Sequence, residues 1–147
     1  MITLFSQRSP KWSDVKLGTS SLTVGEDGCL ITSLSMLSAW FGFRVTPDQV
    51  ALHPGCCDAQ GEYQWNYPFP FILEKRIDGR NDAEIMKSLK DPKRGVILQV
   101  DNGAHFVLAL KKNLFGSYQV ADPWFGDTCD AVKRWKNITG SRHLILK

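Results

Sequence analysis

No stretch of the 147-residue chain is long and apolar enough to read as a membrane span, because its apolar runs break at polar residues within a few positions. The opening MITLFSQRSPKW lacks the basic start, apolar core and small-residue cleavage site of a secretory signal. The chain as encoded is therefore expected to stay in the cytosol, or to leave by a route the sequence does not show. Internal repeats and low-complexity tracts are missing as well. Cysteine is scarce: the four, at 29, 56, 57 and 129, include no Cys-x-x-Cys pair, which argues against a disulfide framework and against a zinc ribbon. His53, Cys56 and Cys57 stand close together without a second ligand pair, so no metal is expected and reduced thiols are the default. Excess charge is small, at +3, and basic residues are scattered except in Lys133-Arg134-Trp135-Lys136, which reads as a solvated face. No nucleic-acid footprint results. A Gly-rich phosphate-binding loop is absent too, and no cofactor is expected. Nothing in the sequence speaks to oligomeric state.

What is present fits one globular domain spanning 1–147, with 43% hydrophobic and 22% charged residues and a generous supply of rings, five of them tryptophan. Between Gly28 and Trp40, Leu30, Leu34 and Leu37 form an apolar stripe that predicts a core-facing helix, which Gly42 ends. Thr46, Pro47 and Gln49 in TPDQV approximate a capping box opening a second helix. HPGCCDAQGEYQWNYPFP (53–70) reads as a long loop, its Trp65, Tyr67 and Phe69, with Phe71 just beyond, destined either for a cleft or for the core. NDAEIMKSLKD, acidic early and basic late, predicts another helix. Strands are expected at 95–101, 105–111, 117–122 and 142–147, with a compact hairpin turn at Asn102-Gly103. Helices first and strands second predict an α+β fold, with N-terminal helices packed on a C-terminal antiparallel sheet.

Three residues stand at element ends in this reading. Cys29 opens the first helix, His105 opens a strand, and Asp122 closes the next strand before Pro123. A hairpin centred on Asn113 and Leu114 would set His105 directly opposite Asp122. That order of residues suits a thiol nucleophile. A helix N-terminus favours thiolate over thiol, a histidine carries the proton, and a carboxylate orients the histidine. The Cys29 backbone N–H would face a developing oxyanion, and Gln7 is the best side-chain donor to complete the hole.

The stretches SQRSPKWSDVKLGTSSLTVGEDGCLITSLSML, TPDQV, GAHFVLAL and YQVADPWFGD resemble papain-like cysteine peptidases of the bacteriocin-processing, double-glycine leader type, in a stand-alone branch of bacteria and phages. Residues 52–95 carry no motif of that family. The resemblance implies a papain-like fold, with Cys29 as nucleophile, His105 as general base and acid, Asp122 as orienting residue and Gln7 as oxyanion donor. It implies hydrolysis of a peptide amide, with a cell-wall peptide as one candidate substrate class. The chain lacks the membrane and ATPase domains that normally follow such leader peptidases, and the papain signature around the cysteine is missing. Two other readings stay open here: a catalytically silent peptide-binding module and an acyl transferase.

Overall fold

The strand segment RGVILQV carries consecutive apolar residues rather than an alternation, the mark of a strand covered on both faces. In the computed structural model, which describes residues 2–147, this segment is β2 (Arg94–Val100), and Val96, Ile97 and Leu98 are all fully buried. Around it run β1 (Phe71–Asp78), β3 (His105–Lys112), β4 (Tyr118–Asp122), β5 (Asp127–Asp130) and β6 (Ile138–Leu146). They form one six-stranded antiparallel sheet in the order β1-β6-β2-β3-β4-β5. The helices are α1 (Val24–Asp27), α2 (Cys29–Trp40), α3 (Pro47–Ala51), α4 (Asp82–Leu89) and α5 (Ala131–Trp135). The α+β class is as expected, but its halves are not cleanly segregated. Strand β1 precedes α4, and α5 lies between two late strands.

One face of the sheet, through Ile97, Leu108, Ala121 and Leu144, packs on α2. The other, through Val96, Leu98, Val107 and Val120, packs on Ile85 of α4 and Ala131 of α5. The expected single stripe on α2 is too narrow. Every residue from Ile31 to Ser38 is buried, because Phe5, Trp12, Val50 and Phe69 cover the side facing away from the sheet. The polar residues of this helix mostly turn inward to backbone: Ser33 donates to Phe106 O at 3.3 Å, Ser35 to Ile31 O at 2.8 Å and Ser38 to Phe43 O at 2.6 Å. Gly95 lets the helix lie close to the sheet, since a Cβ there would sit 2.4 Å from Leu37 Cδ1. Gln49 accepts a hydrogen bond from the Thr46 N–H at 2.9 Å, so the box expected at α3 forms. Phe69 and Phe71 stack in parallel at 4.8 Å and belong to the core, whereas Trp65 is one-third exposed. Among the described residues, no helix is long and apolar enough to cross a membrane.

Candidate active site

Gly28 is the hinge on which the site is built. It ends α1 and caps α2, and a Cβ at this position would lie 2.5 Å from Val24 O. Only glycine lets the two helices abut here, which fixes Cys29 at the first turn of α2 with free backbone N–H groups around it. Cys29 is partly exposed, and all four cysteines are free thiols. Cys56 and Cys57 lie buried with their sulfurs 3.3 Å apart, while His53 packs edge-on to Tyr67 at 5.1 Å.

His105 is delivered by the turn between β2 and β3, which runs over residues 101–104, one residue longer than the expected compact turn at Asn102-Gly103 between strands 95–101 and 105–111. Asp101, Asn102 and Gly103 all adopt positive φ, a conformation that Asn, Asp and Gly tolerate best. The Asn137 side chain clamps this loop, accepting from Asn102 N at 3.1 Å and donating to Asn102 Oδ1 at 2.7 Å. Val100 then pairs with His105.

The expected face-to-face pairing of His105 with Asp122 is corrected by the register. Leu108 pairs with Ala121, so continuing the ladder sets Asp122 opposite Val107, and His105 is the diagonal neighbour. A β-bulge between Ala109 and Lys111 makes this work. Extending the turn-side register of Lys112 with Tyr118 would put His105 on the wrong face, and the one extra residue restores it. The diagonal is short enough for a hydrogen bond: His105 Nε2 lies 2.9 Å from Asp122 Oδ1.

Asp122 is 1% exposed at its side chain and fully engaged. Besides His105 it accepts from Trp124 N at 2.9 Å and from Arg134 Nη1 at 2.7 Å. Burial alone would raise its pKa; these donors hold it below the ordinary carboxylate value. Arg134 also grips Asp127 with both nitrogens, at 2.9 and 3.1 Å. Neighbouring Trp135 packs its ring 5.3 Å from His105. The basic run is therefore no mere solvated face: Arg134 and Trp135 brace the histidine and its carboxylate. Asp122, Asp127 and Cys129 cluster closely enough to suggest a cation site, but the Arg134 guanidinium bonds to both carboxylates there.

Burial also works against a charged His105. The Asp122 hydrogen bond, the hydrogen bond with the Cys29 side chain and the charges of both partners outweigh it, lifting the imidazole pKa to about 9. Cys29, His105 and Asp122 line one cavity of about 540 Å³, with Trp124 and Trp135 in its walls. Gln7 lines it too, on an N-terminal strap tied down by Gln7 N donating to Pro123 O at 2.7 Å. Its buried amide donates to Gly25 O at 3.2 Å, which fixes the NH2 end, and its Oε1 has no partner. All four residues singled out from sequence thus come together, while Arg134 and Trp135 escaped that reading because their partners are set only by the tertiary fold. A scan against protein-family models gives no match to this chain, and a search of curated proteins gives none either.

Proposed function

We propose that this α+β unit is a papain-like cysteine peptidase or amidase, akin to the double-glycine leader peptidases, that cleaves a peptide amide through a thioester on Cys29. The observation that carries the reading is His105 bonded to the buried Asp122 carboxylate and opening into the same cavity as Cys29. With a pKa of about 9 the imidazole is protonated at neutral pH, so a proton donor stands ready beside the sulfur.

The sulfur, as thiolate at the positive end of α2, attacks the amide carbonyl. Charge developing on the carbonyl oxygen meets the Cys29 backbone N–H and the second N–H of Gln7. His105 then gives its proton to the departing amine, leaving a thioester. Neutral again, it takes a proton from water as the water oxygen adds to the thioester, and the adduct collapses to the carboxylic acid and the Cys29 thiolate, restoring the protonated imidazole beside it. Asp122 keeps the imidazole in the orientation and tautomer that both transfers need.

Selective alkylation tests the reading. At pH 6, limiting iodoacetamide is expected to modify Cys29 ahead of Cys56, Cys57 and Cys129, with His105→Ala slowing Cys29 at least tenfold. Cys57 and Cys129 should resist, since burial is the main cause that pushes their pKa values to about 12 and about 11, and Cys56 is fully buried. Equal labelling of the four cysteines, or a Cys29 indifferent to His105, would remove the basis for catalysis.

A further inference from the structure

The cavity holding His105 ends at Cys29, but the groove does not. A second cavity of about 470 Å³ shares Asp27, Cys29 and Phe106 with the first and continues past the sulfur. Its walls include Leu22, Ile31, Tyr63 and Trp65, and two arginines of the sheet open into it, Arg76 and Arg142.

Arg142 is 6% exposed, and among the described residues no carboxylate lies within ion-pair distance of it. Its one polar contact among the described residues is a marginal 3.5 Å approach of Nη1 to its neighbour's carbonyl, Ser141 O. The guanidinium lies 5.3 Å over the Phe106 ring, a weak attraction beside the loss of hydration that burial imposes on a charged group. Its direct cross-strand partner is Arg76, so two like charges face each other where a sheet normally avoids them. Arg76 is exposed and reaches Asp78 at 3.2 Å, which leaves Arg142 alone. Burial and the charge of Arg76 lower the pKa of Arg142, yet a guanidinium stays charged at any working pH. The arginines of intermediate side-chain exposure are all paired: Arg94 and Arg134 each bind two carboxylates and Arg80 binds one.

Taking Cys29 as the nucleophile, we propose that this second cavity is a substrate subsite for a carboxylate, gripped by Arg142 and assisted by Arg76. The carboxylate sits on the substrate segment beside the scissile amide, its aliphatic stem lying along Leu22, Ile31 and Trp65. The exposed acids Asp27 and Glu62 at the same cavity favour a monoanion over a doubly charged phosphate. Either an acidic side chain or a chain-terminal carboxylate carries that chemistry.

Three near-isosteric alkylating agents separate these sources: iodoacetyl-glutamine amide, iodoacetyl-glutamate α-amide and iodoacetyl-glutamine with a free α-carboxylate. In each, the Cys29 sulfur displaces iodide and forms a carbon–sulfur bond. Rates at Cys29 are read by intact mass and peptide mapping in 0.15 M salt, which screens distant charges. One acidic reagent is expected to react at least tenfold faster than the neutral one, and which one does so names the source. Within Arg142→Gln the ratio of acidic to neutral rates should fall to about twofold or less. Arg76→Gln, an exposed change that folding tolerates, should lower it two- to threefold. Equal rates for the three reagents, or a preference that survives Arg142→Gln, overturns the subsite. A Cys29 slow toward all three and toward iodoacetamide overturns the nucleophile reading itself, and the subsite with it. Fast but indiscriminate alkylation removes the subsite alone.

Discussion

His105 and His143 are strand residues of the same sheet, both shielded from water and both hydrogen-bonded, and their surroundings drive them in opposite directions. His143 is fully buried in β6, with Nδ1 2.7 Å from Ser88 Oγ and Nε2 2.8 Å from Ser141 Oγ. Hydroxyls donate or accept as needed, so a neutral imidazole is satisfied in either tautomer. Burial, with the charge of nearby Lys75, pushes the pKa of His143 down against the weaker pull of Glu84 and Glu74. His105 suffers the same burial penalty, but a carboxylate stands where His143 has a serine, and its pKa climbs to about 9. Shielding from water is common to the two rings. The charge of the partner, and a cavity into which the ring opens, separate an imidazole held charged from a neutral structural bridge.

Asp122 is the side chain that makes the difference, and removing its charge should have the largest effect. Asp122→Asn keeps the shape but withdraws the acceptor charge from His105 and Arg134 together. His105 should then titrate several pH units lower, followed by NMR of its ring protons, and Cys29 should lose most of its reactivity at pH 6. Folding should weaken by about 3–5 kcal/mol, the usual consequence of breaking a buried ion pair from one side. A His105 that still titrates near 9 would show that Asp122 does not set the contrast.

The two histidines should also leave opposite marks on stability against pH. The folded-state pKa of His105 lies above the unfolded value of 6.5, so its stabilisation is complete below pH 6.5 and fades as pH rises through 9. The shift sets a ceiling of about 3 kcal/mol. The folded-state pKa of His143 is depressed, so it is neutral in both states above 6.5 and becomes a liability as pH falls below that point and the unfolded chain binds a proton. Urea unfolding from pH 5 to pH 10 should therefore lose its alkaline slope in His105→Gln and its acid slope in His143→Gln. Unaltered slopes in both variants would contradict the opposed charge states.

Much of this contrast was legible in the sequence for His105 and none of it for His143. Cys29, His105 and Asp122 announce themselves because glycine, a turn and a proline mark the ends of their elements. The sequence pairs the carboxylate with this histidine, but in a register that the ladder does not adopt. The hairpin turns through residues further along than Asn113, and the bulge before Lys111 shifts the ladder again. The two displacements add to an even number of residues, so the face survives although the pairing does not. Strand β1 is hard to read because its hydropathy does not follow its burial: apolar Ile72 faces out and charged Lys75 lies on the more buried side, although burial itself alternates throughout. Strand β5 is four residues long with no large apolar side chain. Arg134, Trp135 and Arg142 contact side chains as far as 36 residues away, a relation that local pattern does not encode.

The smallest expected effect belongs to the serine side of the comparison. Ser88→Ala removes one of the two hydroxyls on His143 and leaves Nδ1 buried without a partner, 55 residues from the serine in sequence but beneath α4 in space. An unsatisfied buried ring nitrogen costs about 1–2 kcal/mol, a few degrees of melting temperature in a domain of this size. Cys29 alkylation should not change, because Ser88 and His143 lie outside both cavities that Cys29 lines. A loss of stability with full Cys29 reactivity would place the two histidines in separate roles, one holding the sheet to α4 and the other serving the sulfur. A fall in reactivity of the size caused by Asp122→Asn would join them into a single network and erase the distinction.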